Sequence, residues 1–103
     1  MQNEAWVALA EPNRRALLRV LFDGECTVGE IAARAGLSQP ATSKHLRVLR
    51  DAGLVRVRQE AQQRWYDLAP EPFEDLAAWL APYRRRWNTS LDRLGDRLDA
   101  DTD

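Results

Sequence analysis

The hydrophobic positions between Thr27 and Gly53 recur every three or four residues in two consecutive segments, a spacing typical of α-helices. Thr27 followed by Glu30 has the pattern of a capping box, so we expect the first helix to begin there. Gly36 can supply the left-handed residue that ends this helix, and Ser38 is a favourable cap for the next one. The pattern therefore predicts two helices joined by a tight turn, the second ending at Gly53.

The second of these helices separates its side chains onto two faces. At 100° per residue, Thr42, Leu46 and Leu49 share one face, with His45 at its border. The opposite face carries Pro40, Ser43, Lys44, Arg47 and Asp51. A helix that follows a short turn, packs inward through aliphatic residues and presents polar and cationic groups outward has the geometry of a recognition helix in the major groove of DNA.

Two further helices are predicted before this pair. Residues 4–10 form a short apolar helix whose hydrophobic side chains, including Trp6, cover more than one face, so we expect it to pack outside the reading helices. Pro12 suits the first turn of the next helix, in which three leucines form a core stripe while Arg14 and Arg15 face outward.

The residues after Gly53 predict a β-hairpin, which we call the wing. Residues 54–60 alternate, with Val55 and Val57 on one face and charged or polar residues on the other. Residues 64–68 form the returning strand, and residues 61–63 form a tip that lacks the Gly or Asn that tight turns favour.

Residues 71–99 again have helical spacing, with apolar residues from Phe73 to Leu98. Pro82 interrupts them, which predicts either two helices meeting at Ala81 or one kinked helix. The apolar seam is longer than one small domain can cover, so we expect a two-fold partner to bury it together with the first helix. A monomer whose last helix folds back over its own domain is the competing prediction. The candidate dimerisation residues are Trp6, Tyr83, Trp87, Leu91, Leu94 and Leu98.

The runs ALAEPNRRALLRVL, TVGEIAARAGLSQPATSKHLRVLRDAGLVRVR and RWYDL resemble the ArsR/SmtB family of bacterial winged-helix repressors. The resemblance is strong over residues 4–68, and its most specific part is SQPATSKHLRVLRDAGLV. It implies a mainly helical, dimeric winged helix-turn-helix with four helices, a two-stranded wing and one or two further helices. It also implies one domain over residues 1–103, in which residues 27–68 read DNA and the first helix and residues 71–99 dimerise.

The resemblance also bears on metals, because many members of the family release DNA when two cysteines in the first reading helix bind metal or arsenic. Thr27 and Gly29 stand at the corresponding positions here, and Cys26 lies one residue too early. One soft donor without partners is a poor zinc or arsenic site. The chain therefore resembles the non-metal branch, with no cofactor and with a small-molecule or redox effector, if any. The wing also lacks the family's usual glycine and extra arginines.

Composition limits the remaining possibilities. At 103 residues and 45% hydrophobic, the chain fits one domain, and no apolar run approaches the roughly 20 residues of a membrane span, so we expect a cytoplasmic protein. The net charge of −1 argues against nucleic acid, but residues 38–64 carry six cations and two anions, a net +4. Residues 69–103 carry five cations and eight anions, a net −3. The positive charge is therefore concentrated on the candidate reading surface.

Enzymatic chemistry is not predicted. His45 is the single histidine, and its place at the border of a buried face favours a structural role over catalysis. The carboxylates lack the apolar setting that marks a general acid.

The sequence therefore predicts a homodimeric transcription regulator, a repressor that binds double-stranded DNA at a palindromic operator. Gln39 and Ser43 are the candidates for base edges, and Lys44 and Arg47 are candidates for bases or phosphates. The full predicted DNA-binding set is Ser38, Gln39, Thr42, Ser43, Lys44, Arg47, Arg58 and Arg64. One alternative is a winged-helix module that docks a protein instead of DNA. Another is a repressor with a ligand pocket near Tyr83 and Trp87, where three arginines could hold an anion.

Overall fold

The computed structural model describes the backbone of residues 3–101 and the side chains of residues 3–88. Within that range the chain forms five helices: α1 (Asn3–Leu9), α2 (Pro12–Leu21), α3 (Val28–Ala35), α4 (Gln39–Asp51) and α5 (Pro70–Asp101). Three strands accompany them: β1 (Cys26–Thr27), β2 (Val55–Glu60) and β3 (Gln63–Leu68). The chain comprises two compact units, Met1–Phe73 and Glu74–Asp103. The predicted order of helices and wing strands is confirmed, and β1 is an addition to it.

Local capping sets the ends of α3 and α4, as the sequence predicted. The Thr27 hydroxyl accepts a hydrogen bond from the Glu30 backbone N–H (3.3 Å), and the Ser38 hydroxyl accepts one from the Ala41 N–H (3.2 Å). Gly36 and Gly53 follow the two helices with φ of 70° and 79°, where a side chain would be strained. The cap differs from a full capping box in one hydrogen bond. The Glu30 carboxylate accepts from the Thr27 hydroxyl (3.0 Å), whereas in a capping box it accepts from the backbone N–H of the cap residue.

The core lies between α2, α3, α4 and the sheet. Its largest fully buried aliphatic side chains are Leu17, Leu21, Ile31, Leu46, Leu49 and Leu54. Burial of each side chain of this size stabilises the fold by about 1.5–3 kcal/mol relative to exposure. The two faces predicted for α4 are therefore confirmed on their inward side.

Helix α1 packs on both α2 and α4. Ala5 and Ala8 are buried in the same core cluster as Leu17 of α2 and Leu46 of α4, so the predicted packing outside the reading helices holds for α2 but not for α4. Trp6 and Val7 lie on the exposed side. The inward face of α1 therefore consists of its smallest side chains.

The three strands form one antiparallel sheet in the order β1-β3-β2. Strand β1 pairs Cys26 with Tyr66 and Thr27 with Trp65. The sequence analysis did not predict this strand, since two residues are too few to show an alternating pattern. Its partner is almost forty positions away in the chain, so only the tertiary fold reveals it.

The wing has a shorter turn than predicted. Glu60 pairs with Gln63, so Ala61 and Gln62 alone connect β2 to β3. Ala61 has a φ of 56°, in the left-handed region that two-residue hairpin turns require and that glycine or asparagine usually fills. The predicted three-residue tip is therefore one residue too long. Compared with that prediction, every side chain of β3 points to the opposite face of the hairpin.

Helix α5 runs as one helix from Pro70 to Asp101, with Pro82 inside it, so the prediction of two helices meeting at Ala81 is wrong. Its exposed aromatic residues are Trp79 (55%), Tyr83 (60%) and Trp87 (67%). The rings of Trp79 and Tyr83 lie 5.1 Å apart. Leu91, Leu94 and Leu98 lie outside the residues whose side chains are described. None of the helices in the described part of the chain is long and apolar enough to cross a membrane.

Candidate nucleic-acid interface

The outer face of α4 presents the polar and cationic side chains that the sequence predicted. Ser43, Lys44 and Arg47 are exposed, whereas Leu46 and Leu49 are fully buried on the other side. The burial of these leucines fixes the rotation of the helix about its axis. Three of the predicted DNA-binding residues are thereby directed away from the core.

A cleft of about 1050 Å³ lies between this face, the first turn of α3 and the tip of the wing. It is lined by Thr27, Val28, Gly29, Ser43, Lys44, Leu46, Arg47, Arg50, Asp51, Gln62, Gln63, Arg64 and Tyr66. Four of these side chains are cations and one is a carboxylate, so the cleft carries a net charge of +3. A concave surface of one sign focuses the electrostatic potential and attracts polyanions.

Arg50 is a lining residue that the predicted site omitted. It lies three residues after Arg47, and that helical spacing was a usable signal. The position nevertheless falls in the last turn of α4, whereas the sequence analysis weighted the first two turns.

Arg64 and Arg58 both come from the wing, but only Arg64 lines the cleft. The pairing of Arg58 with Trp65 and of Gln59 with Arg64 places the two arginines on opposite faces of the hairpin. A three-residue turn would have placed them on the same face. The wing therefore directs one arginine, not two, toward the cleft.

Arg58 is already paired with carboxylates on the outer face of the wing. Its Nε lies 2.9 Å from Glu25 Oε2, a second N–H also donates to Glu25, and Nη1 lies 2.6 Å from Glu60 Oε2. Hydrogen bonding to Arg58 lowers the pKa of Glu25 below its ordinary value, and the same bonds raise the pKa of Arg58. The guanidinium also lies 5.6 Å from the centre of the Trp65 ring. The phosphate contact of Arg58 stays a prediction, and the ion pairs with Glu25 and Glu60 partly offset the charge that Arg58 could offer to DNA.

Ser38 and Gln39 stand at the start of α4, as a recognition helix requires. The Ser38 hydroxyl caps the helix, and Ser38 is exposed to solvent. Gln39 is exposed, and its Nε2 lies 3.4 Å from the position that a Cβ at Gly29 would take, so the Gln39 amide lies beside the first turn of α3.

Thr42 does not belong to the surface. Its side chain is fully buried, and its hydroxyl donates to the Ser38 carbonyl at 2.8 Å. A buried hydroxyl with an internal partner stabilises the first turn of α4. Its inclusion in the DNA-binding set was wrong, and the inward projection of the residue was the better guide.

The side chains of His45 and Cys26 lie beside other residues of the protein. The His45 Nδ1 lies 4.0 Å from Glu11 Oε2, which connects α4 to the start of α2. Cys26 is buried, an Arg34 N–H lies 3.6 Å from its sulfur, and burial raises the pKa of the thiol. A search of the described residues finds no cluster of three His, Cys, Asp or Glu side chains that could hold a metal ion.

A helix-turn-helix followed by a hairpin, with a cationic cleft between them, defines a winged helix-turn-helix DNA-binding protein. Residues 11–57 match the family described as "Bacterial regulatory protein, arsR family". The HTH-type transcriptional regulator Rv2034 of Mycobacterium tuberculosis is 38% identical over 101 residues, which cover 98% of this chain and 92% of that protein. The chain belongs to the ArsR family of bacterial transcriptional regulators, which confirms the resemblance seen in the sequence.

Two further comparisons extend this result. The transcriptional repressor SdpR of Bacillus subtilis is 28% identical over 89 residues, which cover 86% of this chain and 99% of SdpR. The solution structure of the homodimeric winged helix-turn-helix domain of Mb0332 from Mycobacterium bovis superimposes with a TM-score of 0.66. That domain is 30% identical and the match covers 80% of this chain and 76% of that one.

Proposed function

We propose that this protein is a homodimeric repressor that binds a palindromic operator in double-stranded DNA through the exposed face of α4 and the adjacent cleft. The observation that carries the proposal is the cleft itself, in which Lys44, Arg47, Arg50 and Arg64 converge from the recognition helix and the wing. Cations on both walls can contact phosphates while α4 lies in the major groove.

The proposed contacts divide by role. Gln39 and Ser43 lie early on α4, where side chains of a recognition helix reach base edges. Lys44, Arg47, Arg50 and Arg64 contact phosphates or guanines, and the Ser38 hydroxyl contacts a phosphate. Thr42 and Arg58 have no part in this set, since one is buried and the other is paired with Glu25.

The homodimer is supported by the exposed apolar side chains of α1 and α5 and by the homodimeric state of the Mb0332 domain. Tyr83 and Trp87 are more than half exposed on α5, which favours an interface over an enclosed ligand pocket. Two subunits would place two recognition helices roughly 34 Å apart, about one turn of DNA. Repression is the sign of regulation that the name of SdpR supports. A cytoplasmic, non-enzymatic role fits membership of a regulatory family.

The test is a selection of bound fragments from a random DNA pool by the full chain. We expect enrichment of a palindrome with half-sites about one helical turn apart. Gln39→Ala should then relax the sequence preference at one position of each half-site and leave the salt dependence unchanged. A pool that yields no common sequence would favour the protein-docking alternative, in which the exposed face of α4 meets another protein.

A further inference from the structure

Helix α1 is too short to hold itself together. It spans seven residues, whereas isolated helices shorter than about 12 residues are marginal in water. Its last carbonyls also carry the partial negative charge of a helix C-terminus and need donors. The stability and direction of α1 must therefore come from groups outside the helix.

Arg14 on α2 supplies one set of these donors. Its Nε donates to the Ala8 carbonyl at 2.8 Å, and its Nη2 donates to the Val7 carbonyl at 3.2 Å. The guanidinium thus bridges two successive carbonyls at the end of α1. The sequence predicted that this side chain would face outward into solvent, and the structure corrects that assignment.

Arg15 supplies the second set. Its Nη1 donates to the Leu9 carbonyl at 2.8 Å and to the Ala10 carbonyl at 3.1 Å. The two neighbouring arginines therefore satisfy four consecutive carbonyls where α1 ends. Hydrogen bonds from charged donors are stronger than those between neutral groups, and solvent weakens them where the site is exposed, as it is here for Arg15.

The same turn of α2 also meets the recognition helix. Glu11 caps α2 by accepting from the Arg14 backbone N–H at 2.9 Å, and its carboxylate lies 4.0 Å from His45 on α4. The segment Glu11–Arg15 therefore contacts α1 through its arginines and α4 through its glutamate. It connects the helix that reads DNA with the helix that exposes Trp6 and Val7.

We propose that Arg14 and Arg15 are positioning residues for the dimer interface, which they support by holding α1 at a fixed orientation on α2. Because Ala5 and Ala8 are buried, the orientation of α1 decides where Trp6 and Val7 are presented. The inference rests on the proposed homodimeric function and assigns its assembly to two arginines that do not touch DNA. Without them, α1 frays and the dimer weakens, while the DNA contacts of each assembled dimer remain unchanged.

The test compares the full chain with the variant carrying Arg14→Gln and Arg15→Gln. Sedimentation equilibrium should show at least a tenfold increase in the dimer dissociation constant. Arg19→Gln, which changes an exposed arginine in the last turn of the same helix, is the control for the loss of an arginine that does not contact α1. Ala33→Gly in α3 is the stability control, because glycine inside a helix weakens the fold at a place away from α1 and should leave dimerisation unchanged.

Operator binding distinguishes positioning from DNA contact. Above its own dimer dissociation constant, the double variant should show the parent dependence of affinity on salt, since no phosphate contact is lost. Phosphate-contacting arginines would instead flatten the plot of log affinity against log salt by about 0.9 for each contact. A flattened slope, or a dimer constant equal to that of the parent, would overturn the inference alone. A parent that is monomeric or binds no operator would overturn the proposed function as well, so the two failures are distinguishable.

Discussion

Arg58 and Arg64 lie on opposite faces of the wing. Arg58 pairs across the hairpin with Trp65, whose side chain points to the face opposite that of its neighbour Arg64. The two arginines therefore have different surroundings, although the sequence predicted the same role for both. Arg58 joins the wing to Glu25 and Glu60, whereas Arg64 lines the cleft beside α4.

The first prediction uses these two arginines as a matched pair. Arg64→Gln should flatten the plot of log operator affinity against log salt by about 1.8 for a dimer, since each subunit loses one phosphate contact. Arg58→Gln should leave that slope unchanged. Fluorescence anisotropy with labelled operator over about 50 to 200 mM salt measures both slopes. Equal flattening in the two variants would show that the wing faces DNA differently from the proposal.

The second prediction concerns the exposed aromatic residues of α5. Tyr83→Arg combined with Trp87→Arg should shift light scattering from twice the chain mass toward one chain mass, because charged groups replace a buried apolar contact. Operator binding should fall with it, while far-UV helicity persists. The matched control is Glu74→Gln with Ala78→Arg, which makes the same change of charge at the same spacing on the other side of the helix at 100° per residue. A variant that remains dimeric would remove these residues from the interface.

The third prediction is a pH dependence from the pair between Glu25 and Arg58. The hydrogen bond to Arg58 lowers the pKa of Glu25 from its ordinary value of 4.5, so the folded state binds this proton less readily than the unfolded chain. The stabilisation is present above that ordinary value and is lost as pH falls through the lower, folded-state pKa. The difference in melting temperature between the parent and Glu25→Gln should therefore shrink below about pH 4.5.

Arg58→Gln should remove the same pH dependence, because the pair with Glu25 is lost, and it should also lose the contacts of Arg58 with Glu60 and Trp65. The double variant should lose little more than Arg58→Gln alone. A parent-minus-variant difference that stays constant from neutral pH to about pH 3 would contradict the assignment.

The fourth prediction concerns the strained turn of the wing. Ala61→Gly should raise the free energy of unfolding by about 0.5–1 kcal/mol, because glycine adopts a φ of 56° without the steric cost that alanine bears. The melting temperature should rise by about 3–6 °C. Ala33→Gly is the opposite control, since glycine within α3 should lower stability. Calorimetry measures the sign of the change in melting temperature. A lower melting temperature for Ala61→Gly would contradict the proposal that Ala61 is strained.

The fifth prediction concerns the Cys26 thiol, on which a response to a redox effector would depend. Because the thiol is buried and its pKa is raised, it should react with a disulfide reagent more than about a hundredfold more slowly in the folded protein than in urea. A diamide-treated dimer should show no cross-link. Cys26→Ala with Phe22→Cys provides a reactive reference, because position 22 is 79% exposed. Rapid reaction of Cys26 with the reagent in the folded protein would contradict this prediction and support a redox effector.

The sequence by itself determined the parts of this protein that depend on neighbouring residues. Thr27 and Ser38 begin α3 and α4, and Gly36 and Gly53 follow them, because a cap needs only a side chain and a backbone group three residues apart or a left-handed residue. The inward face of α4 was also predictable, since Leu46 and Leu49 repeat with the helical period. These local rules were enough to indicate the recognition helix.

Only the tertiary structure decided the relationships between distant residues. A turn one residue shorter than predicted moved Arg64 to the face of the wing opposite Arg58, and Glu25, 33 positions away in the chain, pairs with Arg58 on the outer face. Strand β1 exists through its pairing with β3, and α1 packs through its small alanines and the hydrogen bonds from Arg14 and Arg15. Such pairings depend on which segments meet in space, and a one-dimensional pattern of polar and apolar residues does not contain that information.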